Sequence, residues 1–291
     1  MRTLTAEEIE TYETDGVVHV RAAVDAPLVE RMLEAVDDVI AAPSRFGGTM
    51  TRPDDPGMYF QDRHLFPTNP AFRDFLTATP LGAMAAQATG SSEIRAYYEH
   101  VFVKEPGTQE NFVWHQDRPY WAVDGSQICS SWLALTSADV ASSALEFVRG
   151  SHRWARTFRP EYPALEGRSP KEVEAALWQG LAEHLSSFDE TCPAFEDDPG
   201  TYEVISFAVE PGDALLFNFR TVHRSGPNSG AHRRTAIAWR WLGDDAYWAP
   251  KPGSDPIVRD EDTCLETGDL ITDDAVFPLV YRSNSAGTFG D

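Results

Sequence analysis

The segment WHQDRPYW places His115 and Asp117 two residues apart. In an extended chain, residues i and i+2 point to the same face, so this imidazole and this carboxylate could share a metal ion. The pair alone also fits a surface histidine that happens to lie near an aspartate. The neighbours Trp114, Pro119 and Tyr120 favour the metal site, because a polar pair among large apolar groups needs a strongly binding partner.

A second histidine lies in the segment LLFNFRTVHRSGPNSGAHRRTAIAWRW. An apolar strand leads into His223, the turn-forming SGPNSG follows, and Arg233 or Arg234 begins another apolar strand. We expect a hairpin that brings one arginine back beside the histidine. An arginine can bind a carboxylate through two hydrogen bonds, and Ser225 could add a hydroxyl donor. Taken singly, His223 also fits a turn histidine and the arginines fit a solvated surface.

Two histidines and one carboxylate form the ligand set of iron(II) oxygenases, because they leave the opposite positions of the metal open for a co-substrate and O₂. The N-terminal part is predicted to be helical. A capping box at Thr5 starts a short helix that ends at Gly16, and a strand is predicted at 17–20. A second helix is predicted from roughly Pro27 to Ala41, followed by a long loop over residues 43–70.

The β-rich part begins at about Glu93, where residues of two kinds alternate as on a strand with two differently used faces. Further strands are predicted at Gln127 to Leu135, Leu145 to Val148, Tyr202 to Val209, Ala214 to Phe219 and Thr235 to Trp241. Lys171 to Ser187 has the pattern of an amphipathic helix, and the part after Trp241 is loop-like. A series of short strands of this kind is typical of a β-sandwich or barrel.

We therefore predict one mainly β domain with flanking helices over residues 1–291. Its predicted parts are a helical N-terminal part at about 1–92, a β core at about 93–245 and a helical insertion at about 168–190.

Together these segments resemble the phytanoyl-CoA dioxygenase family of Fe(II)/2-oxoglutarate oxygenases, a branch of the double-stranded β-helix (jelly-roll, cupin-like) enzymes. The resemblance covers most of the chain and rests on KEPGTQENFVWHQD, ALEFVRGSHR, HRSGPNS and LGDDAYWAP. An arginine eleven residues after His223 completes it, and this spacing selects Arg234 over Arg233. The resemblance implies that His115, Asp117 and His223 hold the iron.

The resemblance also implies contacts to the co-substrate 2-oxoglutarate. Arg234 with Ser225 would bind its distal carboxylate, Trp132 would flank it, and Tyr98 would make a polar contact. Asp117 keeps the carboxylate that related halogenases replace with a small residue, so hydroxylation or a related oxidation is favoured.

The implied reaction consumes O₂ and 2-oxoglutarate, releases succinate and CO₂, and hydroxylates a small organic acid or natural-product intermediate. Desaturation, epimerisation, ring closure and halogenation stay open as outcomes. A non-catalytic, metal-binding cupin-like protein and a zinc hydrolase are the alternatives from other classes.

Two regions supply candidates for substrate contacts. A basic and aromatic island could meet an anionic group at the mouth of the site, although it also fits a solvated loop; it comprises Arg149, His152, Arg153, Trp154, Arg156 and Arg159. The other candidates lie in the long loop or beside the metal ligands, at Met58, Tyr59, Phe60, Gln61, His64, Arg118, Tyr120 and Trp121.

Charge and cysteine content narrow the class of protein. Forty-six acidic residues against 24 basic ones give a net charge of −22, which disfavours nucleic acid and anionic membranes as partners. The cysteines are Cys129, Cys192 and Cys264, and their wide spacing predicts neither a disulfide framework nor a thiolate zinc site. We expect a cytoplasmic monomer or homodimer with a small-molecule substrate, without a signal peptide or a membrane span.

Overall fold

Helices cover one side of the structure. The computed structural model describes residues 2–51, 55–161, 181–251, 253–255 and 257–283. The helices are α1 (Ala6–Asp15), α2 (Ala26–Ala41), α3 (Pro70–Ala78), α4 (Leu81–Thr89) and α5 (Leu181–Ser186). Each is too short or too polar to cross a lipid bilayer.

The first helix begins and ends as its sequence predicts. The Thr5 side chain accepts a hydrogen bond from the Glu8 amide (3.1 Å), and the Glu8 carboxylate accepts one from the Thr5 amide (2.8 Å). Gly16 ends α1 in the left-handed conformation, with φ of 80°. The predicted second helix is confirmed as α2. Of the predicted amphipathic helix, Leu181–Ser186 is helical, and residues 171–180 lie outside the described residues.

Fourteen strands are present in the described part of the chain, and all of their pairings are antiparallel. They are β1 (Val17–Val20), β2 (Gly48–Thr49), β3 (Tyr59–Arg63), β4 (Glu93–Lys104), β5 (Phe112–His115), β6 (Val123–Asp124), β7 (Ile128–Ala134), β8 (Leu145–Val148), β9 (Val204–Ser206), β10 (Ala214–Asn218), β11 (His223–Ser225), β12 (Arg234–Leu242), β13 (Tyr247–Trp248) and β14 (Leu279–Arg282). The larger sheet has the order β1-β10-β7-β12-β4-β3-β2, with β14 also paired to β4. The smaller sheet has the order β5-β11-β8-β9, and β13 pairs with β6.

The two main sheets face each other, and helices α1 to α4 cover the outer face of the larger one. Alternate residues of β12 divide between these layers: Ile237 and Trp239 join the helices in one hydrophobic core, whereas Ala236 and Ala238 join the smaller sheet in another. The ring of Trp239 stacks on Phe75 of α3 at 5.6 Å. This arrangement confirms the predicted mainly β jelly-roll with flanking helices.

Two predictions about loops are wrong in part. The region 43–70 contains β2 and β3, and β3 pairs with β4 over five residues. The region after Trp241 contains β13 and β14, and β14 extends the larger sheet beside the start of β4. Strands that lie outside the predicted core at about 93–245 therefore contribute to its larger sheet. That the chain forms a single domain stays a prediction.

Candidate metal centre

Three side chains converge between the facing sheets. His115 ends β5, His223 begins β11, and the two lie opposite each other as a pair in the smaller sheet. With Asp117 they form a group whose potential metal-binding atoms all lie within 4.8 Å of one another. Asp117 departs from the predicted extended chain, because its φ of −68° and ψ of −35° are helical and it leads into a 3₁₀ turn at Arg118–Tyr120. The turn still brings its carboxylate to within 4.0 Å of His223 Nε2.

Backbone hydrogen bonds fix the orientation of both imidazoles. His115 Nδ1 lies 2.8 Å from the carbonyl oxygen of Val113, and His223 Nδ1 lies 2.9 Å from that of Thr221. A carbonyl oxygen can only accept, so each ring carries its proton on Nδ1 and leaves the Nε2 lone pair free for a metal. The hydroxyl of Ser130 donates to Asp117 Oδ2 at 3.1 Å and holds the carboxylate in place.

The electrostatic setting of the group suits a divalent cation. Burial, together with the neighbouring His223, lowers the pKa of His115 to about 4. Burial also lowers the pKa of His223. Both imidazoles are therefore neutral at neutral pH, as metal binding requires, and Asp117 supplies the negative charge. Two neutral imidazoles and one carboxylate are a ligand set that fits iron(II).

Arg234 lies in the same cavity, but the predicted hairpin that would bring it beside His223 is wrong. β11 pairs with β5 and β8 in the smaller sheet, whereas β12 pairs with β4 and β7 in the larger one. The turn after Ser225 therefore crosses from one sheet to the other. Arg233, on the other side of the strand, pairs with Glu105 (2.6 Å) and Asp37 (2.8 Å) outside the cavity.

The guanidinium of Arg234 is buried with no carboxylate partner among the described residues. Its Nη2 donates to Ser143 Oγ at 3.1 Å, its Nη1 reaches the Phe102 carbonyl only at 3.4 Å, and its Nε has no partner. It lies 5.6 Å from the ring of Trp132. Burial lowers the pKa of Arg234 to about 10, so it is still a cation at neutral pH. A carboxylate entering from the cavity would find unused donors here.

One cavity of about 310 Å³ joins Arg234 to the three potential ligands. The sequence-predicted residues that line it are Tyr59, Gln61, Tyr98, His115, Asp117, Tyr120, Trp121, Trp132, His223, Ser225 and Arg234. Tyr98 lies at the end remote from Arg234, where its hydroxyl donates to Asp255 at 3.2 Å. Its predicted contact with 2-oxoglutarate stays a prediction.

Four predicted substrate contacts are placed elsewhere. Phe60 packs in the core beneath the helices, because Tyr59 and Gln61 on either side of it take the cavity face of β3. Arg118 turns away to Asp124, 2.7 Å from its Nη2. His152 and Arg153 also lie outside the lining: the ring of His152 contacts the carbonyl of Glu13 at 3.1 Å, and Arg153 lies over Gly150. These four residues are therefore not part of the described cavity lining, and their contacts with a substrate stay predictions.

The rest of the basic island also lies outside the cavity lining. Arg156 pairs with Glu190 at 2.7 Å, and Arg149 lies 3.6 Å from a carboxylate oxygen of Asp15. Trp154 packs with Phe158, Phe195 and Tyr202 on the outer side of the smaller sheet, and Arg159 is exposed. Of the long-loop candidates, Met58 packs against the core beneath the helices and His64 packs against Phe46 and Phe66. No residue of the island belongs to the described cavity lining, and its predicted contact with an anionic substrate group stays a prediction.

Sequence reasoning missed several charged residues of the cavity lining, chiefly Arg63, Arg240 and Asp255. Arg63 and Asp255 form an ion pair at 2.9 Å. Arg240 had a detectable signal, because it lies six residues after Arg234 on the same apolar strand, where the alternation of β12 places both on one face.

The family comparison agrees with the architecture. The sequence model of the family described as phytanoyl-CoA dioxygenase (PhyH) matches residues 12–236. The dioxygenase lolE1 of Epichloe uncinata is 24% identical over 165 residues, which cover 57% of this chain and 52% of that protein. The chain thus spans about half the length of that curated relative.

Solved structures share the fold at low sequence identity. The non-heme alpha ketoglutarate dependent carbocyclase SnoK from nogalamycin biosynthesis is 21% identical, with a TM-score of 0.70 and coverage of 95% of this chain and 96% of that one. The epimerase SnoN, in complex with Fe³⁺, alpha ketoglutarate and nogalamycin RO, is 19% identical, with a TM-score of 0.69 and coverage of 94% and 97%. These similarities confirm the double-stranded β-helix fold.

Proposed function

The chain belongs to the phytanoyl-CoA dioxygenase family, whose cofactors are iron(II) and 2-oxoglutarate, and on this premise we propose that it is an oxygenase that hydroxylates a small organic acid or natural-product intermediate. The observation that carries the proposal is that one cavity joins two features. A two-histidine, one-carboxylate group lies in it, and Arg234, a buried arginine that has no carboxylate partner in the described part of the chain, also lines it.

His115, Asp117 and His223 would hold the iron through Nε2 of each imidazole and an oxygen of the carboxylate. When bound, iron and 2-oxoglutarate supply the activation of O₂, with succinate and CO₂ as co-products. The hydrogen bonds to Val113 and Thr221 keep each Nε2 deprotonated, so metal entry displaces no proton from either ring.

Arg234 would bind the distal carboxylate of 2-oxoglutarate, with Ser225 and Trp132 as further contacts. The guanidinium is buried and still has donors to offer, so a carboxylate would relieve the cost of an unpaired buried cation. Its position is also held before the ligand arrives, by Ser143 on one side and the ring of Trp132 on the other. This preorganisation reduces the entropy that is lost on binding.

Aromatic side chains supply the water-excluding wall on which the chemistry depends. Trp121 and Trp132 are 1% and 3% exposed and line the cavity, and the ring of Tyr120 lies edge-on to that of His115 at 5.8 Å. A dry wall of this kind limits side reactions with water and orients an apolar substrate body toward the metal.

Two other functions predict different behaviour. A zinc hydrolase would use the three ligands but has no need of Arg234 or O₂. A binding-only protein would hold metal without forming succinate. Desaturation, epimerisation and ring closure stay alternatives to hydroxylation, and the names of SnoK and SnoN attach the last two outcomes to other proteins with this fold.

The test adds iron(II) and 2-oxoglutarate to the protein without oxygen and records the metal-to-ligand charge-transfer absorption. O₂ is then admitted with a panel of small carboxylic acids, and succinate is followed. We expect the band in wild type and its loss in His223→Ala, while His152→Ala, a histidine outside the cavity, keeps it. No band in wild type, or an unchanged band in His223→Ala, would refute the proposal. Product mass then separates hydroxylation, which adds one oxygen, from desaturation or ring closure, which each remove two hydrogens, and from epimerisation, which leaves the mass unchanged.

A further inference from the structure

Four arginines line the cavity in the described part of the chain, and they divide into two kinds. Arg63 pairs with Asp255 at 2.9 Å, and Arg224 pairs with Glu146 at 2.9 Å and also with Glu196. Arg234 and Arg240 have no carboxylate partner among the described residues. The proposed function supplies an anion for Arg234 and leaves Arg240 without one.

Arg240 is 6% exposed and forms no ion pair with a described residue; the buried Glu99 interacts with its charge only from a distance. Its Nη1 donates to the carbonyl of Ala238 at 3.0 Å, and its Nε has no partner. The guanidinium carbon lies 4.4 Å from the ring centre of Tyr98 and 5.4 Å from that of Trp121. These rings position the cation but cannot neutralise it, and a buried charge without a counter-charge is costly.

The position of Arg240 relates it to the metal centre. In the register of β7 and β12 it lies opposite Ser130, whose hydroxyl holds Asp117. Arg234 lies six residues away on the same strand, which corresponds to roughly 20 Å of extended chain. The two unpaired cations are therefore at opposite ends of the cavity.

Among the groups that would hold the metal and 2-oxoglutarate, the charges balance without Arg240; Glu110 and Glu161 also line the cavity and are not part of this group. The two positive charges of iron(II) and that of Arg234 balance the negative charge of Asp117 and the two carboxylates of 2-oxoglutarate. His115 and His223 are neutral, and Arg63 and Asp255 compensate each other. We propose that Arg240 is the substrate anchor and binds one anionic group, a carboxylate, of a small monoanionic substrate whose apolar body packs against Tyr98 and Trp121. This inference rests on the proposed function.

The same charge count disfavours a CoA thioester as substrate. The phosphates of CoA carry several negative charges, whereas the described cavity lining includes the carboxylates of Glu110 and Glu161 and offers, besides Arg234, one arginine without a carboxylate partner. A cavity of about 310 Å³ is also at the small end of the range for ligand sites.

The test compares aromatic monocarboxylates with their neutral amides: benzoate, phenylacetate, 3-phenylpropionate and indole-3-acetate, each beside its primary amide. Binding to the protein loaded with manganese(II) and 2-oxoglutarate is measured by calorimetry, so turnover is not required. We expect at least one acid to bind roughly tenfold or more tightly than its amide, as a charge-assisted hydrogen bond allows. Arg240→Gln should abolish this preference and leave the dissociation constant of 2-oxoglutarate within about threefold of wild type.

Arg224→Gln is the matched control, because Arg224 lines the same cavity but already has carboxylate partners. It should keep the preference for the acid. The proposal is overturned if no acid binds better than its amide, if Arg240→Gln keeps the preference, or if Arg240→Gln weakens 2-oxoglutarate binding more than tenfold, which would make Arg240 a co-substrate contact. Repeating the panel without 2-oxoglutarate separates the two proposals: if 2-oxoglutarate fails to bind wild type while the Arg240-dependent preference persists, only the proposed function fails.

Discussion

Replacing Arg234 with methionine should separate co-substrate affinity from fold stability. The guanidinium is buried, no described carboxylate pairs with it, and two of its nitrogens reach Ser143 and the Phe102 carbonyl. Losing the partner of a buried carboxylate costs about 2–5 kcal/mol, which corresponds to roughly 30-fold to several thousand-fold in the dissociation constant of 2-oxoglutarate. The protein without ligands should stay within about 1 kcal/mol of wild type or become more stable, because the substitution also removes an unpaired buried charge.

The assay is thermal unfolding of the anaerobic iron(II) protein with and without 2-oxoglutarate. At 100 times the dissociation constant, the ligand adds about 2.7 kcal/mol to wild type, or roughly 5 °C in Tm. At the same concentration Arg234→Met should gain less than about 1 kcal/mol. Arg233→Met is the control, since Arg233 forms only partly exposed ion pairs with Glu105 and Asp37, and it should keep the full shift. An undiminished shift in Arg234→Met would contradict the assigned role.

Three further predictions concern the support of the site. Ser130→Ala removes the hydrogen bond to Asp117 and should weaken iron(II) or manganese(II) binding about 10- to 100-fold in a metal titration; unchanged affinity would argue against this support. The pKa of His115 is about 4 in the folded protein and about 6.5 in the unfolded chain. Between these pH values the unfolded chain binds more protons than the folded protein, so acidification over this range lowers the unfolding free energy of the metal-free protein. His115→Gln should make the fall in unfolding free energy shallower by up to about 1.4 kcal/mol per pH unit in urea titrations, and an equal slope would refute this. Gly16→Ala should cost about 3 kcal/mol or more, because φ is +80° and a Cβ would lie 2.7 Å from a threonine hydroxyl. Gly90→Ala, with φ of +69° and open space, should cost about 1 kcal/mol, and equal losses would show that the contact is unimportant.

The parts of the fold that depend on local chemistry were predictable from the sequence. The capping box at Thr5 and the left-handed Gly16 fix both ends of α1 without help from distant residues. β3 was missed because Gln61 and Asp62 give it polar residues inside a buried strand. Their partners are distant in sequence: Asp62 accepts a hydrogen bond from the Ser44 amide at 2.7 Å, and Gln61 faces the cavity. The alternation of polar and apolar residues along one segment cannot show that a buried polar side chain has a partner elsewhere in the chain.

In the candidate site, too, local features were predictable from the sequence and contacts between distant segments were not. The spacing of His115 and Asp117 predicted a pair that could share a metal, and the family resemblance implied that His223 joins them; the structure brings the three together, although Asp117 reaches the group through a turn. Sequence reasoning expected His223 and Arg234 to lie close together because it joined them by a hairpin, and that hairpin does not form. The turn chemistry between them suits either a hairpin or a crossing between sheets, and the choice is made by β8 and β4, which pair with the two strands from elsewhere in the chain.

The sequence of β12, RTAIAWRWL, contains two arginines within an otherwise apolar strand. All nine of its residues are buried, so any charge within it must meet a partner, a ligand or a high energetic cost. Arg234 and Arg240 share one face, whereas Trp239 and Trp241 pack against the helices. Two buried charges on the ligand-facing side of one strand, neither with a carboxylate partner among the described residues, favour two anionic groups held apart in the cavity that the metal group also lines. Because β12 is rigidly paired on both sides, this separation is built into the sheet, and it limits substrates to those whose reactive carbon reaches the metal while their carboxylate reaches Arg240.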